Sequence, residues 1–258
     1  MRIQEGCPEE FEVDSLRMRP EPTFDIVGQY EAFIVMTRID AALAHDILQP
    51  GMELAPPSGT PAGTHPVMYS FGKHRHVHPD ALPVYEFDYD EALVGLPHVR
   101  LKGDDTDCFH MTDVRLNNAV AQGIGRALGM PKHLAEIANA DTSYRVADRF
   151  GNALLRATMT LDGKKFDDTH KHFRLIADMM QQPVISKVAG RTIITHFTFD
   201  TAHACMIPAR LAIEVTTDAL AGLPKGSYTF GTIDEAQFGG AYMSVHSWRI
   251  SQRPLVVV

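Results

Sequence analysis

The stretch Val84–Pro97 reads VYEFDYDEALVGLP. In an extended chain Tyr85, Phe87 and Tyr89 fall on one side, and Glu86, Asp88 and Asp90 on the other. From Ala92 onward the run is continuously apolar. Alternation followed by an apolar run reads as a strand that enters the core along its length. The acidic side reads as a solvated face. Glu91 is the exception, because the period of two places it on the aromatic side. A carboxylate on an apolar face has to be paired, hydrogen-bonded or protonated, since an isolated buried charge is very costly. That makes Glu91 a candidate acid–base group; a register break at Glu91 is the alternative, and would return it to solvent.

Outward from this stretch, several further segments read as strands: FIVMTRI (Phe33–Ile39), ALLRATMTLDGKKF (Ala153–Phe166) with a hairpin signal at Asp162-Gly163, RTIITHFTFD (Arg191–Asp200) and the closing LVVV. Two helices stand out. DAALAHDIL (Asp40–Leu48) stops at Gln49-Pro50. Asn118–Leu128 repeats Val120, Ile124 and Leu128 on one face, with Gly129 and Pro131 as stop signals. Gln49–Pro66 holds five prolines and three glycines and reads as a long surface loop rather than a linker, because composition does not change across it. The expectation is one mainly β (α+β), chiefly antiparallel domain over residues 1–258.

Composition excludes classes rather than naming one. The 258 residues are 45% hydrophobic and 22% charged, ordinary for a globular chain with a large core. Twenty-four basic residues against 32 acidic ones leave a formal charge of −8, with no basic footprint for nucleic acid. No run of 18 apolar residues suggests a membrane span, and the acidic start MRIQEGCPEEFEVD has no signal-peptide core. Cys7, Cys108 and Cys205 are odd in number and far apart. They suggest neither a metal site nor a disulfide framework, and so a reducing, cytoplasmic setting.

Three segments carry chemistry. In KHRHVH (Lys73–His78) the imidazoles of His74, His76 and His78 alternate and would share one face of a strand, as metal ligands do. No fourth ligand is evident and Pro79-Asp80 ends the run, so a polar edge or loop is the better reading and no metal is expected. In GIGRALGMPKHL (Gly123–Leu134), Gly123-x-Gly125 resembles part of a dinucleotide fingerprint, with Asp141 at a tolerable distance for a ribose contact. The preceding VRLNNAVAQ looks like a cap and helix start, not the apolar strand such a turn requires. The third is Lys132, just past the helix stop and preceded by Met130-Pro131. Most lysines there are helix-end cations. One that attacks a carbonyl must be neutral; the ordinary pKa of about 10.4 makes that form rare at pH 7, and burial or a neighbouring cation increases it.

The run from Gly125-Arg126 to Pro131-Lys132-His133-Leu134 resembles the G-R-x-L…P-K-K-L segment of the acetoacetate decarboxylase family. Ile34–Pro50, Tyr89–Pro97, Arg149–Phe166 and His203–Leu211 have counterparts in the same order, so the chain is identified as a divergent member. The resemblance implies a curved antiparallel sheet or cone-like β-barrel with flanking helices, a homo-oligomer, and no organic cofactor. It implies that Lys132 is a Schiff-base lysine; acetoacetate decarboxylase is itself a standard example of a lysine so activated. It implies that Glu91 is an active-site glutamate, in agreement with its phase on the strand.

Three positions depart from the family. Its second lysine is His133 here, a weaker cation left to tune Lys132. Its carboxylate-gripping arginine falls on Gln29 by ungapped extension, and Gln cannot supply a bidentate, charge-assisted grip. Another family glutamate falls on or near Ser70. Gln29, Ser70, Arg126 and Met130 are therefore the candidate substrate-binding residues, with Arg126 or Arg210 available to replace the lost guanidinium. The expected function is a Schiff-base lyase acting on a small keto acid or β-dicarbonyl compound. It would act by decarboxylation or, with an aldehyde co-substrate, by aldol–dehydration or cyclisation. The rivals are a binding protein that kept the pocket and lost catalysis, and a nicotinamide oxidoreductase built on GIGRALG.

Overall fold

FIVMTRI is the middle of a longer strand, β1 (Ile26–Asp40), whose side chains are buried on both faces through most of its length. Both faces of the sheet are therefore covered, as its near-continuous apolar sequence requires. The computed structural model describes residues 25–140, 142–166, 171–217, 224–233, 238–251 and 255–257. After β1 come α1 (Ala41–Asp46), β2 (Met52–Leu54), β3 (Thr64–Pro79), β4 (Phe87–Leu101), β5 (Cys108–Leu116), α2 (Ala119–Ala127), β6 (Lys132–Leu134), β7 (Glu136–Ala140), β8 (Ser143–Ala147) and β9 (Ala153–Leu161). Then follow α3 (Lys171–Met180), β10 (Val184–Val188), β11 (Arg191–Thr195), β12 (Phe197–Phe199), β13 (Cys205–Val215), β14 (Gly226–Phe230), β15 (Gly239–Ile250) and β16 (Leu255–Val257).

The strands form one sheet in the order β16-β11-β10-β5-β4-β3-β1-β15-β13-β9-β8-β7. Pairing is antiparallel except where β5 meets β10 and β6. The sheet curls. Phe71 on β3 packs 5.5 Å from Tyr144 on β8, far along the strand order, and Asn139 on the edge strand β7 donates to Asp90 on β4 at 3.1 Å. One core lies within the curl, with Phe33, Tyr69 and Phe71 meeting Tyr144, Leu155 and Leu211. The second core lies on the other face, where α2 and α3 cover Tyr30, Tyr89, Leu93 and Trp248. No helix among the described residues is long and apolar enough to cross a membrane.

Several local expectations are corrected. The strand read from Val84 starts at Phe87, and Val84 and Tyr85 are exposed. Asp162-Gly163 is not a hairpin. The chain runs on beside β13, Asp162 bonding to Pro208 and Phe166 to Met206, so the two residues form a bulge-like break rather than a reversal. RTIITHFTFD divides at His196 into β11 and β12, which pair with different strands. The Pro/Gly-rich stretch Gln49–Pro66 hides β2, paired with Val99–Leu101. A third helix, α3, was not anticipated, although Phe173, Ile176, Ala177 and Met180 have helical spacing and are buried. Cys108 is a free thiol, Cys205 is disulfide-bonded, contrary to the expectation of no disulfide, and Cys7 lies outside the described residues.

Candidate active site

The site forms where α2 and β6 lie over β4 and β3. Asn118 caps α2, its side chain accepting from the Val120 and Ala121 amides at 2.9 and 3.1 Å. At the other end Gly129 takes a φ of +79°, a conformation that suits glycine, and the Met130 amide turns back to the Gly125 carbonyl at 2.9 Å. The chain then enters β6, which pairs in parallel with β5, Lys132 opposite Val114. β6 turns Lys132 inward and leaves His133 and Leu134 exposed. Gly125 makes this possible: a Cβ there would lie 2.3 Å from Lys132 Cδ and 2.7 Å from Cε. Gly123 and Gly125 are thus inside a helix, not at a strand-to-helix phosphate turn, and the second makes room for the lysine stem.

Lys132 and Glu91 are both buried, with Nζ 2.9 Å from Glu91 Oε2. Glu91 Oε1 lies 3.6 Å from His74 Nε2. His74 sits in a cross-strand row between Tyr30 on β1 and Tyr89 on β4. Its ring stacks on Tyr89 (4.3 Å between centroids, 10° between planes), lies 4.6 Å from Tyr30, and meets Trp248 edge-on at 5.3 Å. The Tyr30 hydroxyl is hydrogen-bonded to the Ser70 hydroxyl. Lys132 Nζ also lies 5.3 Å from the Tyr89 ring centre, within cation–π range.

Burial alone would raise the Glu91 pKa, but the Lys132 charge and the adjoining His74 outweigh it and hold the carboxyl at about 2. Burial pushes the His74 imidazole down, against the opposing pull of Glu91. The Tyr30 and Tyr89 phenols are raised by burial and stay protonated. The resting pocket therefore contains an ionised carboxylate and neutral aromatic groups. Above Lys132 opens a narrow cleft walled by Phe87, Tyr89, Ile124, Leu128, Met130, Trp248 and Ile250. An apolar cleft ending on one amine, itself bonded to a buried carboxylate, can hold a small carbonyl compound with its reactive carbon at the amine.

The structure thus brings together Lys132, Glu91, Met130 and, through Tyr30, Ser70. It does not bring in the others. Gln29 is exposed, because alternation along β1 turns Tyr30 inward with Ala32 and Ile34 and puts position 29 on the other side. Arg126 is exposed on α2, and Arg210 is paired with Asp162 at the surface. His133 is exposed, and its charged neighbours are Arg115, Asp113 and Arg126, with burial and Arg115 pushing its pKa down. The three imidazoles do not share a face. A register break between His74 and Val77, with His76 at φ +50°, sends His74 inward while His76 bonds to Glu86 in solvent. His74 and Tyr30 are the residues that sequence reasoning missed. His74 is in phase with Ser70 two alternations earlier, a signal obscured by the other two histidines.

Residues 15–193 match the family model for acetoacetate decarboxylase. Solved structures with the same fold include the enduracididine biosynthesis enzyme MppR complexed with pyruvate (14% identity, TM-score 0.64, 94% of this chain and 93% of that one). Another is an acetoacetate decarboxylase-like enzyme from Sphingomonas wittichii RW1 (14%, 0.64, 95% and 98%). A third is acetoacetate decarboxylase from Legionella pneumophila (19%, 0.59, 91% and 87%). No significant match is found among curated protein sequences.

Proposed function

This chain belongs to the acetoacetate decarboxylase family, and on that premise we propose that it is a lyase whose Lys132 condenses with the ketone of a small keto acid or β-dicarbonyl compound. One observation carries the reading: a lysine amine buried at the base of an apolar cleft, 2.9 Å from a buried carboxylate. The amine adds to the carbonyl carbon, the carbinolamine loses water, and the resulting iminium draws electrons from the neighbouring carbon. A β-keto acid then releases carbon dioxide, leaving an enamine that is protonated and hydrolysed, freeing the ketone and the lysine. Glu91 pairs first with the ammonium and then with the iminium, which carries the same charge at nearly the same place.

A second outcome uses the same iminium. The enamine attacks an aldehyde and the adduct loses water. It is favoured by the exposed Gln29 and the absence of a guanidinium from the cleft wall among the described residues, and the pyruvate bound by the MppR neighbour suits it. The protein acts as a single domain and, like its family, as a homo-oligomer.

The test is borohydride trapping with a panel of keto acids and β-dicarbonyls, read by intact mass and peptide mapping. A stable adduct on Lys132 is expected. No adduct across the panel removes the Schiff-base reading and favours a binding protein. Lys132→Ala is expected to abolish both adduct and turnover in a chain that still folds; retained turnover would assign the chemistry elsewhere.

A further inference from the structure

Lys132 has to give up a proton before it can attack, and the site offers Glu91, held at a pKa of about 2, as a poor base. Export of that proton to solvent would leave Glu91 as a buried carboxylate without its cation, the costly half of a broken buried pair. The structure holds a third group that resolves this. His74 is buried, its Nε2 lies 3.6 Å from Glu91 Oε1, the oxygen that Lys132 does not use, and neither ring nitrogen has a hydrogen-bond partner among the described residues. An imidazole placed on the far side of a carboxylate from an ammonium can exchange a proton with it around a shared counterion.

Resting on the Schiff-base reading above, we propose that His74 is a positioning residue that stores the proton Lys132 releases, with Glu91 as the common counterion. The Nζ–H bond breaks as Glu91 Oε2 takes the proton. Rotation about Cγ–Cδ brings that oxygen to His74, and the Nε2–H bond forms. The net charge of the trio is zero before and after, so the neutral amine appears without leaving an unpaired buried charge. The proton returns by the same carboxylate to the carbinolamine hydroxyl, which leaves as water. The balance closes: the ammonium and the carbonyl become an iminium and one water, and His74 ends neutral.

The groups around His74 leave this exchange intact. Tyr30 from β1 and Tyr89 from β4 are protonated phenols, and Trp248 from β15 carries no charge. Burial lowers the hold of the ring on a proton; Glu91 and, more weakly, Asp90 from β4 oppose this, and Lys132 from β6 adds to it while it is charged. The stack on Tyr89 fixes the ring edge toward Glu91.

The experiment measures the rate of iminium formation with pyruvate, trapped by borohydride, from pH 6 to 9.5. It compares the native chain with His74→Gln, which keeps a donor for Glu91, and His74→Phe, which keeps the stack. Neither replacement can hold a proton. Both variants are expected to be about 100-fold slower at pH 7. Their rates should rise about tenfold per pH unit toward the native rate in alkali, while the pyruvate concentration for half-saturation changes little. Variants that keep the native pH profile, whether slower or not, overturn the proposal, because a merely structural role lowers the rate without moving the profile. Should one variant fail to fold, the other still decides. If the native chain gives no adduct with any compound of the wider panel, the Schiff-base reading itself fails, and that is a different result from an unmoved profile.

Discussion

Glu91 is a buried group that remains ionised, and its linkage to stability has a definite sign. Its folded pKa of about 2 lies below the ordinary 4.5. The stabilisation from its ionised form is therefore complete above about pH 4.5 and is lost as pH falls toward 2. The difference corresponds to about 3 kcal/mol. Urea unfolding between pH 6 and 3 covers most of that range and is expected to show the native chain losing about 2 kcal/mol more stability than Glu91→Gln; equal losses would mean that folding does not lower the Glu91 pKa. Gly125→Ala acts at the same scale. Its methyl would overlap the Lys132 stem, so adduct formation should fall at least tenfold with a minor change in stability. Gln29→Arg should leave turnover unchanged, since the side chain at 29 faces solvent; a gain of acetoacetate decarboxylation would place that side chain in the cleft. Glu91 was legible in the sequence because a strand phase is local; Lys132 stood out through the family resemblance, since its place after a helix stop suits an ordinary helix-end cation equally well. His74 was not legible, because one bulge at Arg75-His76 cancels the alternation that reading relies on.

Among elements, α2 was legible nearly to the residue. Asn118 supplies the cap, Gly129 the stop, and both act within one turn of the residues they govern. Asn118→Ala is expected to cost about 1 kcal/mol in urea unfolding. Because α2 carries Gly125 and leads into Lys132, it should also reduce adduct formation; a stable variant with native kinetics would show that the cap does not set the lysine. The short strands were less legible. β6 has three residues and forms only because β5 offers a free edge, which no property of KHL specifies. The break at His196 likewise follows from the two halves having different partners, not from any local breaker.

At the scale of the molecule the sequence specified strands but not their neighbours, because pairing is settled by packing between segments far apart in the chain. β1 lies between β3 and β15, so the second neighbour comes from the other end of the chain. Arg249 of β15 shows what holds that junction. Its guanidinium donates to buried Asp25, just before β1, at 2.7 Å, and to Asp80, just after β3, at 2.8 Å. These residues adjoin Ile26 and Ile250, which line the cleft. The two aspartates hold the guanidinium above its ordinary pKa, against burial. Arg249→Met would leave Asp25 buried beside a thioether, and removing one member of a buried pair costs more than the pair itself contributes. The expected loss is about 3 kcal/mol in urea unfolding. The double variant Asp25→Asn/Arg249→Met should lose less than the sum of the two single variants, because the second change removes the orphaned charge. Strict additivity would mean that the three strand ends are held by packing alone and that the ion pair contributes nothing to the rim of the site.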